Sequence, residues 1–182
     1  MYPSQAPELK ETTHHGTQSF PCAFYHLQMT GQGSLVKHHW HDEIEILYFS
    51  AGAFTLEINM EAFPIHSECF YFINPGELHS IRTCSLEKAV ECAVVFQPEF
   101  ICSPFYDAIQ TQLIQPLQNG SLIFPRYISA ENQIFPVIKE LFLNIAGAFS
   151  RCASPESLET FIGTNHLSLF RASDTADIHL TD

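Results

Sequence analysis

Between Phe20 and Phe96 the chain is a series of short apolar segments separated by turn residues, and this pattern restricts the fold more than any other feature. Phe54–Met60 alternates strictly between apolar and polar residues, which is the period of two of a half-buried β-strand. Many short strands at such spacing predict a β-sandwich or barrel and argue against alternating β–α units. Further strands are predicted at Ile44–Phe49, Cys69–Ile73 and Ala89–Phe96.

After these strands the pattern changes to helical periodicity. A short helix is predicted within Pro104–Leu117, and the apolar residues of 134–149 recur on one face at helical spacing. Ser154 followed by Pro155 predicts the start of a further helix, as a cap residue and a proline at the first helical position. Two amphipathic helices bury their apolar faces either on the outside of the barrel or in a dimer interface. Periodicity does not distinguish the two.

The chain is therefore expected to consist of one barrel with a polar segment at each end and a helical extension. Residues 1–19 lack periodicity and are typical of a flexible arm. The predicted segments are the flexible arm 1–19, the β-barrel 20–100, the helical or linker extension 101–172 that could dimerise the protein, and the frayed tail 173–182.

Charge and composition exclude several classes of function. Eight Lys and Arg residues against 20 Asp and Glu give a net charge of −12, and the basic residues are scattered singly. A surface that grips nucleic acid needs clustered cations, so the chain is not expected to bind DNA by itself. No apolar run approaches the ~20 residues of a membrane span, and no secretory signal is visible, which predicts a cytoplasmic protein. The six cysteines include no CxxC pair and are interpreted as small buried hydrophobes rather than a disulfide framework.

Three histidines and one glutamate stand out by their spacing. His39 and His41 are separated by one residue and share a side of a strand, and Glu45 has the same parity. His79 follows the predicted turn at 74–76. Three imidazoles and one carboxylate that converge inside a barrel could hold a divalent transition metal, with Zn, Ni, Fe and Mn as candidates.

These residues resemble the first conserved motif of the cupins, which runs Gly, five residues, His-x-His, three residues, Glu, six residues, Gly. All of its positions are filled, by Gly33, His39, His41, Glu45 and Gly52. The resemblance implies a cupin jelly-roll barrel.

The second cupin motif is only partly present. Gly76 and His79 match it, and Pro75 stands one place later than the proline of the motif. Glu68 and Thr83 replace its first glycine and its final asparagine. The barrel gains support from this comparison, whereas a working metal centre gains less.

The surrounding sequence is similar to the N-terminal sensor domains of AraC-type transcription regulators. The similar stretches are 39–48, 72–80 and 95–100, and the resemblance covers roughly residues 20–150. It implies a mainly β protein, a cupin jelly-roll barrel with a C-terminal α-helical extension. It also implies binding of a small polar effector, a sugar being the expected class, together with homodimerisation and no enzymatic activity. Nothing after Arg151 is typical of a basic recognition helix. DNA binding would then need a C-terminal helix-turn-helix domain that this chain lacks, whether it is a piece of a regulator or a naturally short sensor.

Three interpretations of His39, His41, Glu45 and His79 stay open: contacts to an organic effector without a metal, ligands of a metal, and a structural network of buried polar groups. A metal would allow a second class of function, a metal-dependent cupin enzyme such as a dioxygenase or isomerase. Glu91 is a candidate ligand-binding and acid–base residue if the odd positions of its strand face inward. Outside the site we expect His38, Trp40, Tyr48 and Arg82.

Overall fold

The computed structural model describes residues 6–102 and 108–151. Within these ranges the chain forms nine β-strands and two α-helices, a short one after the eighth strand and a longer one after the ninth. The strands are β1 Cys22–Thr30, β2 Gly33–His39, β3 Ile44–Ala51, β4 Phe54–Ile58, β5 Glu61–Ile65, β6 Cys69–Ile73, β7 His79–Thr83, β8 Lys88–Phe96 and β9 Tyr127–Ser129.

The strands form two antiparallel sheets with a jelly-roll order. One sheet has the order β1-β8-β3-β6-β9 and the other the order β2-β7-β4-β5. From β1 to β8 the chain changes sheet at every connection except the hairpin between β4 and β5. Eight strands wound in this way form the jelly roll that cupins share with lectin and capsid domains. The predicted mainly β cupin barrel is confirmed.

The inward faces of the two sheets form one apolar core. Alternate residues of a strand share a face, and on β3 this face carries Leu47 and Phe49, neither more than 1% exposed. On β4 it carries Phe54, Leu56 and Ile58, which the strict alternation predicts. Fully burying one such side chain stabilises the fold by roughly 1.5–3 kcal/mol. Polar groups that enter this interior therefore need a separate explanation.

Strand β4 is shorter than the sequence pattern predicts. The alternating segment predicts a strand as far as Met60, but β4 ends at Ile58. Asn59 and Met60 both have positive φ, 50° and 71°. Two successive residues of this kind form the type I′ turn that matches the twist of a two-residue hairpin. The alternation of apolar and polar residues therefore extends past the end of β4 into the turn, where it does not indicate a strand.

The cysteines within the described residues form no disulfide. Cys22 and Cys69 are buried, and burial raises the pKa of each thiol to about 12. These two thiols are therefore inert apolar groups, as expected. Cys84 is exposed, and Cys152 lies outside the described residues.

The sheet continues beyond residue 100, where the predicted barrel ends. After β8 come a 3₁₀ turn at Pro98–Ile101 and a π-helical turn at Gln110–Ile114, which leads into α1, Gln115–Gln118. The sequence predicts a short helix within 104–117. The described residues of this stretch are helical, and the helix continues past Pro116 to Gln118. The chain then returns as β9, which pairs with β6 at the edge of the larger sheet.

By its internal contacts the chain divides into two compact units, Met1–Ala130 and Glu131–Asp182. The described part of the second unit holds the helix α2, Phe135–Arg151, with Pro136 in its first turn. The helix predicted from Ser154 and the tail 173–182 lie outside the described residues. Of the helices that are described, none has the length and apolar character to cross a membrane.

Candidate functional site

The three histidines singled out by their spacing come together at one end of the barrel. His39 ends β2, His79 begins β7 opposite it, and His41 follows in the loop to β3. The nearest ring nitrogens of the three imidazoles all lie within 4.8 Å of one another. His41 and His79 are buried, with 3% and 1% of their surface exposed, and His39 is half-buried.

The backbone fixes the same tautomer in all three rings. In each case Nδ1 lies within hydrogen-bond distance of a main-chain carbonyl two residues away: His39 with Lys37 at 2.9 Å, His41 with Glu43 at 3.2 Å and His79 with Glu77 at 2.9 Å. A carbonyl can only accept, so each Nδ1 carries a proton and donates it. Each Nε2 is then left with a lone pair that faces the centre of the cluster unless it takes up a second proton.

Glu45 lies between two of these Nε2 atoms. Its Oε2 is 3.3 Å from Nε2 of His41 and 3.0 Å from Nε2 of His79. Burial by itself would raise the pKa of Glu45, but the contacts with the two imidazoles outweigh it and hold that pKa well below its ordinary value. Burial lowers the pKa of His41, and the hydrogen bond that Glu45 accepts from its imidazole more than reverses this, so the net shift is upward. Glu45 is therefore an ionised carboxylate inside the barrel.

This donor set fits a divalent transition metal. Nε2 of His79 is fully buried and, among the described residues, has no hydrogen-bond partner, although Glu45 is near. Lone pairs of imidazole and carboxylate that face one another repel unless a cation or a proton lies between them. Histidines that ligate a metal through Nε2 almost always donate Nδ1–H to a carbonyl or carboxylate, which is the arrangement found here. Nitrogen and oxygen donors of this kind suit Zn, Ni, Fe and Mn.

The turn that orients His79 is held in place by a partly buried ion pair. The carbonyl of Glu77 accepts the Nδ1 proton of His79, while the carboxylate of Glu77 accepts two hydrogen bonds from the Arg126 guanidinium, one of 2.6 Å to Oε2 and one to Oε1. Gly76 N donates to the carbonyl of His41 at 2.7 Å, which ties this turn to the second histidine loop. Burial raises the pKa of Glu77, but the hydrogen bonds from Arg126 hold it below its ordinary value. Sequence spacing gave no signal for Arg126, because it lies 47 positions from His79 along the chain.

Two further side chains reach the cluster from the segment predicted as an arm. Glu11 Oε2 is 3.3 Å from Nε2 of His39 and 3.3 Å from Nε2 of His15. His15 is buried, and its Nδ1 lies 2.8 Å from the hydroxyl of Tyr25. Neither Glu11 nor His15 was predicted as a site residue. The only signal in the sequence is their spacing of four, which is too common to carry weight.

Residues 6–19 lie against the barrel through specific contacts. Glu11 N donates to the carbonyl of Trp40 at 2.9 Å, and Trp40 N donates to the carbonyl of Leu9 at 3.0 Å. The indole Nε1 of Trp40 donates to the carbonyl of Ala6, and Lys10 Nζ lies 4.9 Å above the indole ring. Trp40 therefore faces away from the barrel interior and packs against another part of the chain, as expected.

Gly16 lets this segment turn into β1. Its φ is +85°, and a Cβ at this position would lie 2.3 Å from the carbonyl oxygen of Phe20. The turn is closed by Thr17, whose N donates to the carbonyl of Phe20 and whose hydroxyl accepts from Phe20 N. Only glycine meets both requirements, so the path that brings Glu11 and His15 to the cluster depends on this residue.

Glu91 also faces the interior, as the parity of its strand allows, but away from the histidines. It is 1% exposed, and its Oε1 has no hydrogen-bond partner among the described residues. Burial, and next the charge of Glu45, raise the pKa of Glu91 well above its ordinary value. The apolar interior therefore favours the neutral form of the Glu91 carboxyl group.

The residues expected outside the cluster lie outside it. His38 is exposed and contacts Glu57, and Arg82 is exposed on β7. Tyr48 lies on the outer face of β3, where its hydroxyl donates to Glu68.

Residues 21–101, from β1 through β8, match the family model described as the AraC-like ligand binding domain. The barrel is similar to the domains of this family. The matched residues include His39, His41, Glu45 and His79. Glu11 and His15 precede the first matched residue.

Proteins similar to this chain include a transcription regulator. YdeC of Bacillus subtilis, described as an uncharacterized HTH-type transcriptional regulator, is 28% identical over 109 residues. These residues are 59% of this chain and 36% of YdeC, so the chain spans well under half of that relative.

Solved structures similar to this chain include a predicted oxalate decarboxylase from Thermotoga maritima, 26% identical with a TM-score of 0.39, over 41% of this chain and 65% of that one. A Cupin 2 conserved barrel protein from Salinispora arenicola is 19% identical with a TM-score of 0.38, over 57% of this chain and 74% of that one. The strand order of the two sheets by itself identifies the jelly roll.

Proposed function

We propose that this chain is the effector-sensing part of an AraC-type transcription regulator and that it binds a small polar metabolite, a sugar being the expected class, at His39, His41, Glu45 and His79. One observation carries the proposal: three imidazoles, whose tautomers are set by backbone carbonyls, and one ionised carboxylate come together at one end of the barrel. Desolvated polar groups of this kind are expected to have a ligand.

The same four side chains would hold a divalent transition metal, with Zn, Ni, Fe and Mn as candidates. When bound, such an ion polarises the oxygen atoms of a hydroxylated or carbonyl-containing ligand. The protein's own part is to orient the imidazoles through the backbone carbonyls and to keep Glu45 ionised.

Two further features suit a polar effector. A groove of about 450 Å³ runs between 8–13 of the arm and 36–39 of β2, and it opens beside His39 and Glu11. This volume lies within the range typical of small-molecule sites. Deeper in the barrel, the neutral acid Glu91 would donate a hydrogen bond to an oxygen of the effector.

Regulation requires parts beyond this chain. With a net charge of −12 the chain is not suited to grip DNA, so DNA contact would come from a C-terminal helix-turn-helix domain. Effector binding would change the order of the arm or the position of the helices, and the second unit would take part in a homodimer. The protein would act in the cytoplasm, without a membrane partner.

A second candidate is a metal-dependent cupin enzyme, a dioxygenase or an isomerase. The observation in its favour is the pair formed by the histidine cluster and Glu91, a neutral acid inside the same barrel. Such an enzyme would consume its ligand, whereas a sensor returns it unchanged.

The test is a thermal-shift screen of sugars, polyols and small hydroxy acids on the metal-loaded chain. A ligand at about 100 times its Kd stabilises the native state by about 2.7 kcal/mol, which is roughly 5–10 °C in Tm. We expect a shift with the wild type and with His38→Ala, the exposed neighbour, and none with His39→Ala. A compound that shifts Tm and is recovered intact supports the sensor. Consumption that stops with a chelator supports the enzyme, and equal shifts in His39→Ala would contradict the site.

A further inference from the structure

Glu11 is placed to take part in the cation site from outside the barrel. Its Oε2 lies 3.3 Å from Nε2 of His39, one of the three nitrogens that converge on the candidate cation position. We infer that Glu11 is a further ligand of a divalent cation held by His39, His41, Glu45 and His79, so that cation binding fixes the N-terminal arm to the barrel. The inference rests on the cation-binding part of the proposed function and adds a ligand to it.

The backbone sets the direction of the Glu11 side chain. Lys10 forms an isolated parallel bridge with Trp40, and the hydrogen bonds on either side of the bridge join Trp40 to Leu9 and to Glu11. Lys10 and Trp40 contact each other on the outside. Because side chains alternate along extended backbone, Glu11 lies on the side of the bridge opposite to Lys10. That side also carries His39, the residue before Trp40.

His15 supports the carboxylate from its other side. It is 8% exposed, and its Nε2 is a buried nitrogen that lacks a hydrogen-bond partner among the described residues, 3.3 Å from Glu11 Oε2. Its Nδ1 is engaged by the hydroxyl of Tyr25 on β1. A buried ring nitrogen without a hydrogen-bond partner costs free energy. The position of Nε2 beside Glu11 is therefore a second indication that a ligand binds there. His15 acts here as a positioning residue.

The charges of the extended set balance. Three neutral imidazoles and the two carboxylates of Glu11 and Glu45 carry a total charge of −2, which a divalent cation neutralises. Buried charges are tolerated where they are paired or coordinate a metal. With Glu45 alone, a bound divalent ion would keep a net charge of +1 at the barrel end. The arm carboxylate removes this excess charge and occupies a position that the cupin motif leaves open.

Binding of the cation and attachment of the arm are then linked, and each strengthens the other by the same factor. The chain carries a built-in reporter of this link. Trp40 is its single tryptophan, its indole donates to the carbonyl of Ala6, and Lys10 lies above the ring. Release of 6–11 exposes the indole and the amide of Glu11 to water.

The experiment compares the wild-type chain, Glu11→Gln and Glu8→Gln, an exposed carboxylate on the same arm. Each protein is stripped with a chelator and titrated with Zn²⁺ alone by calorimetry. Tryptophan emission and hydrogen exchange of the arm amides are followed in parallel. Zn²⁺ does not undergo redox chemistry, which keeps the emission readout simple.

We expect Zn²⁺ to bind wild type and Glu8→Gln equally and Glu11→Gln at least about tenfold more weakly. Zn²⁺ should slow exchange of the arm amides in the first two proteins and shift their emission to shorter wavelength. At saturating Zn²⁺ the arm of Glu11→Gln should still exchange fast. Tight Zn²⁺ binding that is equal in all three proteins, with equal arm protection, would refute the role of Glu11 and leave the histidine site standing. No Zn²⁺ binding to the wild type would refute the cation site itself.

Discussion

Glu45 and Glu91 are buried carboxylates that face the same barrel interior, yet their pKa values are shifted in opposite directions. In the register of β3 with β8, Glu45 pairs with Val95 and Phe49 pairs with Glu91. The Cα atoms of the two acids are therefore displaced by four positions along the strand direction, about 13 Å at about 3.3 Å per residue. Glu45 has two imidazoles beside it, and Glu91 has an apolar surrounding and an unpartnered Oε1.

The difference shows what burial alone does and what partners do. Desolvation is the largest influence on the pKa of both groups and raises it in both. Only at the histidine end is it outweighed, by contacts that stabilise the anion. The interior therefore has a charged end suited to a cation and a neutral end suited to hydrogen-bond donation. Three substitutions by the isosteric glutamine test this contrast.

The largest effect is expected for Glu45→Gln. It removes the anion between His41 and His79, and in chelator-treated protein it should lower the free energy of unfolding by roughly 3 kcal/mol, the low end for breaking a buried ion pair. The low end applies because neutral imidazoles can still hydrogen-bond the amide. Urea unfolding at pH 7 measures the loss. A change below about 0.5 kcal/mol would mean that Glu45 is not an ionised partner of these histidines.

An intermediate effect is expected for Glu77→Gln. The side chain of Glu77 is buried, but Arg126 is 32% exposed, so water screens part of the interaction. We expect a loss of about 1.5 kcal/mol, the lower value for a hydrogen bond to a charged group. Because the Glu77 carbonyl orients His79, Zn²⁺ affinity should fall as well. Arg126→Lys serves as the matched variant, since it keeps the charge and loses the paired hydrogen bonds. Unchanged Zn²⁺ affinity in both variants would show that this ion pair does not contribute to cation binding.

The smallest effect, with the opposite sign, is expected for Glu91→Gln. The pKa of Glu91 is raised in the folded state, while that of an unfolded Glu is about 4.3. Between these two values the unfolded chain has released a proton that the folded chain retains, so wild-type stability falls as pH rises. Glutamine does not titrate and escapes this loss.

The variant should therefore match the wild type within about 0.5 kcal/mol at pH 4 and become the more stable protein as pH rises toward 8. Urea midpoints across this range measure the trend. A gap that widens in the other direction would show that Glu91 is ionised in the fold.

Local patterns predicted the barrel and the centre of its site. The alternation of Phe54–Ile58 and the apolar run of Cys69–Ile73 mark strands that the structure contains. The parity of His39, His41 and Glu45 places them on one side, because side-chain direction in a strand follows from sequence position alone. His79 joined them through the motif, and β7 pairs it with His39.

The remaining site residues depend on contacts that no local pattern encodes. Glu11 and His15 reach the cluster because 6–16 returns along Trp40, and Arg126 reaches Glu77 because β9 adds to β6. A segment without periodicity gives no indication of the surface it will contact. Because residues 1–19 lack periodicity, their sequence indicates a flexible arm, whereas in the structure 6–19 make specific contacts with the barrel.

Metal content per chain shows whether the histidine cluster holds a divalent cation, as proposed above. Tag-free protein is incubated in turn with Zn²⁺, Ni²⁺, Fe²⁺ and Mn²⁺, desalted and measured by elemental analysis. We expect close to one equivalent of at least one metal in the wild type and in His38→Ala, and none in the folded His39→Ala/His41→Ala variant. A folded wild type that retains none of the four metals, or a double variant that retains as much as the wild type, would contradict the proposal.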